Sequence, residues 1–367
     1  MTPNTLLQFA FHLAGPASPD RIAAESATLT PADWADLLAF LKKQGLAPPL
    51  YDRIIQLHYD QVLPPDFVAE LRAIYLNNAV RNLYAQRQLS QILAALESNQ
   101  ISVILLKGAA FAFSIYPNPA CRMMSDLDLL VHQDHLTRVI SIFETLGYQL
   151  SGTAWQGPGH HLPPFFRPGS LFPVELHWQL TTPNRSTNLS PGIIWNTAQS
   201  GSCFAHACCR LSPALALFHV CQHAAYQHLF ASSPRAIFDI DTLLRAGPDQ
   251  LDWSAFWGYA SATACQPGVA YLLQLTAQLL STPLPAPALA GISALTFPKG
   301  IQQDVYQVML SGEELPDTPP SGLGPAVGRH AAGLTAKLDT VDHFEECPDA
   351  RLDDVRRDAG ATVRASC

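Results

Sequence analysis

The fold is decided by residues 101–131, ISVILLKGAAFAFSIYPNPACRMMSDLDLLV. Residues 101–106 are apolar and rich in β-branched side chains, which predicts a buried strand. Residues 109–116 are small and aromatic and predict a short helix, which ends at Pro117 because proline does not fit a helix interior. Residues 125–131 predict a second apolar strand that begins with two carboxylates. The order strand, glycine turn, helix, strand is the frame for the rest of the chain.

The two carboxylates at the start of the second predicted strand are Asp126 and Asp128. Side chains alternate between the faces of a strand, so these two are expected to point the same way. Neighbouring carboxylates repel each other and are costly to desolvate. A divalent cation between them relieves both costs, since Mg²⁺ and Ca²⁺ prefer oxygen ligands. The pattern therefore predicts a metal site, with a solvated turn as the alternative.

The ordered set Lys107-Gly108, Tyr116-Pro117, Arg122 and Asp126-x-Asp128 resembles the nucleotidyltransferase family NTP_transf_5, within the DNA polymerase β-type superfamily. The resemblance is strongest over residues 100–180. It implies an α+β fold, with a small mixed-sheet nucleotidyltransferase core flanked by N-terminal and C-terminal helical segments. It also implies an enzyme that uses Mg²⁺ or Mn²⁺ and an NTP, moves an NMP group to a hydroxyl-type acceptor, and releases pyrophosphate.

The resemblance further implies roles for individual residues. Asp126, Asp128 and Glu175 are expected to ligate the metal and to be catalytic. Glu175 lies in residues 171–178, whose period-two alternation predicts a strand with Glu175 and His177 on one face. The remaining candidates are expected to contact the nucleotide: Lys107, Gly108, Arg122 and Ser125. Lys107 has a surface lysine as its alternative, and Arg122 an ion pair with an aspartate.

The turn after the first predicted strand departs from the superfamily. Gly-Gly or Gly-Ser is usual there, and this chain has Gly108-Ala109. Ala109 has no hydroxyl for a phosphate, so binding would use backbone N–H groups and the helix N-terminus. One alternative is therefore a catalytically silent accessory protein that binds a nucleotide or a partner. The other is a toxin-like nucleotidyltransferase acting on RNA.

The amino-acid composition indicates which kinds of molecule the protein is expected to bind. The chain has 367 residues, 48% hydrophobic and 14% charged, with a formal net charge of −8. This composition supports a sizeable core and shows no basic field for nucleic acid. The expected acceptor is a small molecule, a peptide or a protein. The 8 cysteines lack Cys-x-x-Cys spacing, and the N-terminus lacks the basic region of a signal peptide. We therefore expect reduced thiols and a cytoplasmic protein.

The chain is expected to divide into four segments. Residues 1–97 predict N-terminal helices, residues 98–180 the core, and residues 181–312 a C-terminal helical domain. Within the last, 253–298 has no charged residue, but its prolines favour a buried helix over a membrane span. Residues 313–367 contain 11 acidic and 6 basic side chains, −5 of the total −8, and predict a disordered acidic tail. An altered reading frame is the alternative for this segment.

Three histidines of the C-terminal segment are candidate metal ligands. His219 and His223 are spaced i, i+4 and His228 follows, but the run HVCQH lacks the glutamate of a zinc-protease helix. A packed histidine face is the favoured interpretation. The pair His160-His161 falls in a Gly/Pro-rich loop and could flank the substrate, but a flexible loop unrelated to the site is the favoured interpretation. Asp239 resembles a family aspartate that could reach the site, with an i, i+4 ion pair to Arg235 as the alternative.

Overall fold

The structure of the protein is a computed structural model that describes residues 3–152, 159–181, 189–247 and 251–311, together with Lys337 and residues 342–343. The helices of this part are α1 Pro3–Ala14, α2 Pro19–Ser26, α3 Pro31–Gln44, α4 Ala47–Gln56, α5 Pro65–Ser98, α6 Lys107–Ala112, α7 Leu136–Thr145, α8 Pro191–Thr197, α9 Pro213–Gln222, α10 Ser233–Ala246, α11 Trp253–Ala262, α12 Gln266–Leu280, α13 Ala286–Ser293 and α14 Ile301–Ser311. The strands are β1 Val103–Leu105, β2 Leu127–Val131, β3 Gln149–Leu150, β4 Phe165–Phe166, β5 Val174–His177, β6 Gln199–Cys203, β7 His206–Arg210, β8 Leu295–Thr296 and β9 Asp342–His343.

The centre of the fold is a mixed sheet with the strand order β3-β4-β5-β2-β1-β7-β6. β1 is antiparallel to β2 and parallel to β7, and β2 is parallel to β5. The end of β1 therefore lies at the same edge as the starts of β2 and β5. Helices precede this sheet and follow it along the chain, which confirms the predicted α+β class.

The hairpin β6–β7 was not expected, because residues 181–312 were predicted to be helical. That prediction is wrong for residues 199–210, and the sheet continues past residue 180. The hairpin turns at Phe204 and Ala205, with φ of 53° and 67°. Such turns usually carry Asn-Gly or Asp-Gly, so the sequence lacks the common hairpin signal. Pairing of β7 with β1 extends the sheet on the side away from β5.

Helix α5 crosses the sheet and holds the segments that lead into β2 and β5. Asn78 Nδ2 donates to the carbonyl of Ala120 at 2.7 Å, and Asn82 Nδ2 donates to those of Pro119 and Arg122 at 2.6 and 2.9 Å. Gln88 Nε2 donates to the carbonyl of Phe172 at 2.7 Å. All three amide side chains are buried. We call the bonds donated by Asn78, Asn82 and Gln88 the amide contacts of α5.

The C-terminal helices pack around α9, whose residues from 214 to 222 are all buried. The uncharged segment forms α11, α12 and α13, and no helix in the described ranges is both long and apolar enough to cross a membrane. The predicted tail, residues 313–367, lies outside the described residues except at three positions. There β9 pairs with β8, and Lys337 forms an ion pair with Asp304.

Candidate active site

Lys107 occupies the junction between β1 and α6. Its φ is 39°, a left-handed conformation that is uncommon for a residue with a side chain. Its Nζ lies 3.3 Å from Oδ1 of Asp128. Gly108 follows in the helix, where an added Cβ would lie 3.2 Å from Cγ of Met124. The junction thus brings a lysine and a closely packed glycine to the start of β2.

Asp128 and Glu175 are opposite each other on the parallel strands β2 and β5. Their Cα atoms are register partners, so the two side chains leave the sheet on the same side. Asp128 is 3% exposed, while Glu175 is half-buried. Leu127 and Leu129 are buried on the opposite face. The predicted proximity of Asp128 and Glu175 is therefore present in the structure.

His177 is the third member of this group, and the sequence had given it no role. Its ring is fully buried, and its Nε2 lies 2.8 Å from Oδ1 of Asp128 and 3.5 Å from Oε2 of Glu175. One ligand atom from each of these three residues lies within 4.8 Å of the others. The signal was the period-two alternation that places His177 on the face of Glu175. Nothing in that pattern gave the distance to Asp128.

Asp126 lies immediately before β2 rather than on it, and it is half-buried. Burial raises the pKa of Asp126 to about 6, and the charges of Asp128 and Glu175 act in the same direction. Ser125 is exposed and its hydroxyl hydrogen-bonds to Asp126, which lowers that pKa. The structure thus brings all three predicted carboxylates into electrostatic contact.

Asp128 behaves differently because it has cationic partners. Burial alone would raise the pKa of Asp128, but the Lys107 ammonium and the His177 hydrogen bond hold it well below its usual value. Burial likewise opposes charge on Lys107 and His177, yet Asp128 and its neighbours raise both of their pKa values. A buried carboxylate is thus kept ionised by two side chains that favour their cationic forms.

Arg122 forms the second of its two predicted arrangements, an ion pair with an aspartate. Its Nε and Nη2 donate to Oδ1 and Oδ2 of Asp239 at 2.7 and 2.8 Å, and Tyr116 Oη donates to Oδ1 at 2.8 Å. Arg122 and Asp239 are both buried. The predicted ion pair of Asp239 with Arg235 is wrong, since Arg235 Nε instead donates to the carbonyl of Gln44. A bidentate pair of this kind joins the segment before β2 to α10.

The pair His160-His161 lies against the site, so the prediction of an unrelated loop is wrong. His161 forms a β-bridge with His177, and its Nδ1 is 3.9 Å from Oε2 of Glu175. The ring centroid of His160 is 5.4 Å from that of His177. The cause is backbone pairing: the N–H of Leu162 donates to the carbonyl of Leu176, which draws the loop alongside β5.

The histidines of α9 and the turn after it form a packed face, as interpreted. The ring centroids of His219 and His223 are 5.9 Å apart, and those of His223 and His228 are 4.5 Å apart. Burial lowers the pKa of His219 to about 3 and that of His223 well below its usual value. Within the described ranges, the grouping of potential metal ligands contains Asp128, Glu175 and His177 and none of these rings.

Comparison with known protein families shows which family the chain belongs to. A model of NTP_transf_5, described as an uncharacterised nucleotidyltransferase, matches residues 30–281, which is more than half of the chain. The chain belongs to this nucleotidyltransferase family. The matched part of this NTP_transf_5 protein runs from the residue that caps α3 to the end of α12 and contains the whole seven-stranded sheet.

Other comparisons add little to this NTP_transf_5 assignment. No curated protein matches the chain. One matching solved structure is an antigenic nucleotidyltransferase-like protein from Paracoccidioides brasiliensis. It is 18% identical with a TM-score of 0.34, and the match covers 55% of this chain and 94% of that chain.

The donor set of this NTP_transf_5 family member fits a divalent cation. Ligand atoms at about 2.1 Å from one ion lie no more than about 4.2 Å apart, close to the 4.8 Å within which Asp128, Glu175 and His177 already group. Asp126 adds a third carboxylate nearby, whose pKa is raised chiefly by burial and further by the negative charges of Asp128 and Glu175. These residues could hold a metal ion with small side-chain adjustments.

Proposed function

We propose that this protein is a metal-dependent nucleotidyltransferase that moves an NMP group from an NTP to a hydroxyl-type acceptor and releases pyrophosphate. The observation that carries the proposal is the pairing of Asp128 with Glu175 in register on adjacent strands. Asp126 and Lys107 lie beside that pair. Carboxylates from two strands with a lysine between a strand and a helix match the chemistry that phosphoryl transfer requires.

Asp126, Asp128 and Glu175 would hold Mg²⁺ or Mn²⁺. The bound metal would neutralise triphosphate charge and activate the attacking oxygen. Glu175 has a further role in the proposal, because it is half-buried and can accept the proton of an acceptor hydroxyl. Asp128 is fully ionised near neutral pH owing to Lys107 and His177, which suits a metal ligand.

Lys107, Gly108 and Ser125 would contact the nucleotide. A dication at Asp128 would release the Lys107 ammonium from its ion pair, leaving it to bind phosphate oxygens. Gly108 would contact the nucleotide through its backbone, since the position of its missing Cβ is already occupied by Met124. Ser125 is exposed and next to Asp126, where its hydroxyl can orient that carboxylate. The acceptor is proposed to be a small molecule, a peptide or a protein, consistent with the net charge of −8.

A catalytically silent binder is the second candidate. It is favoured by the ion pair between Lys107 and Asp128, which gives the carboxylates a cation from the chain itself. Ala109 favours it too, because that position offers no hydroxyl to a phosphate. Such a protein would bind nucleotide or a partner without transferring anything.

The experiment tests both candidates with the full chain. Each of the four NTPs is incubated with Mg²⁺ or Mn²⁺ and pools of small-molecule and peptide acceptors, and pyrophosphate and labelled NMP adducts are measured. We expect wild type and Asp134→Asn, an exposed carboxylate beyond the end of β2, to be active. Asp126→Asn and Glu175→Gln should be inactive. Metal-dependent nucleotide binding without any transfer would favour the silent binder, and the lack of both would refute the nucleotidyltransferase proposal.

A further inference from the structure

His177 sits where a metal ligand would be placed, although the carboxylates alone were the expected ligands. Its Nε2 faces both Oδ1 of Asp128 and Oε2 of Glu175, at 2.8 and 3.5 Å. The imidazole of His177, at the end of β5, is fully buried. A ring nitrogen at this point completes a set of two oxygens and one nitrogen around one position.

The second ring nitrogen of His177 gives an independent argument. Nδ1 is buried and has no hydrogen-bond partner among the described residues, and the same is true of Nε2 of His219. Buried polar atoms without partners are rare in folded proteins and call for an explanation. Burial and the charge of Lys107 lower the pKa of His219, and the charge of His177 adds to them, so the two rings interact electrostatically.

The protonation of His219 makes it a suitable acceptor for His177. A hydrogen bond to the backbone of Leu180 raises the pKa of His219, which is the effect of donating to a carbonyl. Since Nε2 of His219 has no partner, the donated proton is on Nδ1, and Nε2 presents a lone pair. His219 is only 2% exposed, so that lone pair is held inside the protein.

Metal-bound histidines usually donate their other ring N–H to a second group, which fixes the tautomer. We infer that His177 Nε2, on releasing its proton, is a metal ligand together with Asp128 and Glu175, with His219 accepting from His177 Nδ1 through one water, and that the site takes a divalent transition-metal ion in preference to Mg²⁺. Imidazole favours such ions, whereas Mg²⁺ favours sites made only of oxygen ligands. The inference rests on the metal site of the proposed function and adds a ligand and a metal class to it.

The test uses Mn²⁺ as the probe and pulsed electron paramagnetic resonance as the readout. Full-length wild type grown with ¹⁵N-histidine and with unlabelled histidine is loaded with Mn²⁺ after EDTA treatment. We expect a coupling from a directly bound histidine nitrogen that changes with the isotope. This measurement needs no variant and no enzymatic activity. Mn²⁺ bound without nitrogen coupling, or no bound Mn²⁺ with or without NTP, overturns the inference.

Two variants identify the ligand. His177→Gln should lose the nitrogen coupling, while His161→Gln should keep it, since that neighbouring imidazole has its Nδ1 2.8 Å from the carbonyl of Leu162. His58→Asn, on the exposed surface, controls for mutation in general. Mn²⁺ affinity should fall by about tenfold or more in His177→Gln and by about tenfold in His219→Phe, in line with losses seen for outer partners of metal sites. Mg²⁺ affinity should change less.

Each outcome separates this inference from the proposed function. Loss of the coupling in His161→Gln rather than His177→Gln overturns the assignment of the ligand. Equal losses of Mn²⁺ and Mg²⁺ affinity in His177→Gln overturn the metal preference. Nucleotidyl transfer by a site with oxygen ligands only would refute the inference and leave the proposed function intact. Histidine-bound Mn²⁺ without any transfer would support the inference and refute the proposed activity.

Discussion

The Lys107 ammonium lies 3.3 Å from Oδ1 of Asp128, and both side chains are largely buried. The chain therefore supplies one cation to the same carboxylate that a metal would use. A metal ion entering the site must compete with this ammonium for Asp128. Metal affinity and metal-free stability are consequently linked through Lys107.

Lys107→Met should reveal that competition. Without the ammonium, Asp128 loses a partner, so the free energy of unfolding in EDTA should fall by on the order of 3 kcal/mol. The rise in melting temperature on adding Mn²⁺ alone should be larger than in wild type, because the metal no longer displaces a lysine. Thermal unfolding measures both, with Lys299→Met on the exposed surface as the control. A smaller metal response in Lys107→Met would contradict the competition.

The two aspartates should respond oppositely to the same substitution. The sequence suggested simple mutual repulsion, but the structure pairs Asp128 with Lys107 and His177 and gives Asp126 chiefly unfavourable neighbours. In EDTA, Asp128→Asn should lower the free energy of unfolding by about 3–5 kcal/mol. Asp126→Asn should raise it at pH 7 by about 2–3 kcal/mol at most. Urea unfolding decides this, and changes of the same sign would count against the described pairing.

Asp126 also predicts a pH dependence. Its pKa is raised from 3.8 to about 6 in the folded protein, so the folded state binds this proton more tightly than the unfolded state. Between about pH 4 and pH 6, stability should therefore fall as pH rises, by the linkage relation. Asp126→Asn removes this contribution. Urea midpoints measured in EDTA from pH 4 to pH 7 should show wild type losing stability relative to Asp126→Asn, and parallel profiles would refute the shift.

Arg122 should matter for stability more than for nucleotide binding. Asp239 accepts hydrogen bonds from Arg122 and Tyr116. Arg122→Gln breaks the bidentate pair and leaves the buried carboxylate with Tyr116 alone of these two donors. The expected loss is about 3–5 kcal/mol, measured by urea unfolding. The NTP affinity of the folded variant should match wild type. Arg87→Gln, on the exposed side of α5, serves as the control. Loss of affinity at unchanged stability would instead indicate a phosphate contact.

Local patterns were sufficient for the strands of the central stretch. The apolar run before Lys107 and the run after Asp126 became β1 and β2 with small shifts in their bounds. Both depend on neighbours in sequence, through side-chain periodicity. The helix between them was predicted over residues 109–116, but α6 spans Lys107–Ala112 and ends before Pro117, so the predicted role of that proline was wrong. Glu175 was placed near Asp128 by the family resemblance rather than by any local signal.

Contacts between distant segments were the part that sequence could not supply. Arg122 and Asp239 are 117 positions apart, and nothing local favours that pair over Arg235 with Asp239. The distance from His177 to Asp128 depends on the register of β5 against β2, which a single sequence does not reveal. The hairpin of β6 and β7 was missed because its turn lacks glycine and its partner strand, β1, lies about a hundred residues earlier.

The amide contacts of α5 set a limit on how small an active fragment can be. A fragment starting at residue 98 would contain every proposed metal ligand, yet it would lack the donors for the carbonyls of Pro119, Ala120, Arg122 and Phe172. Without α5 these carbonyls would bond to water, and nothing would fix the position of the segments that carry them. The loops entering β2 and β5 would then be free to shift, and with them the spacing of Asp128 and Glu175. Expression fragments for this protein should therefore begin upstream of Pro65.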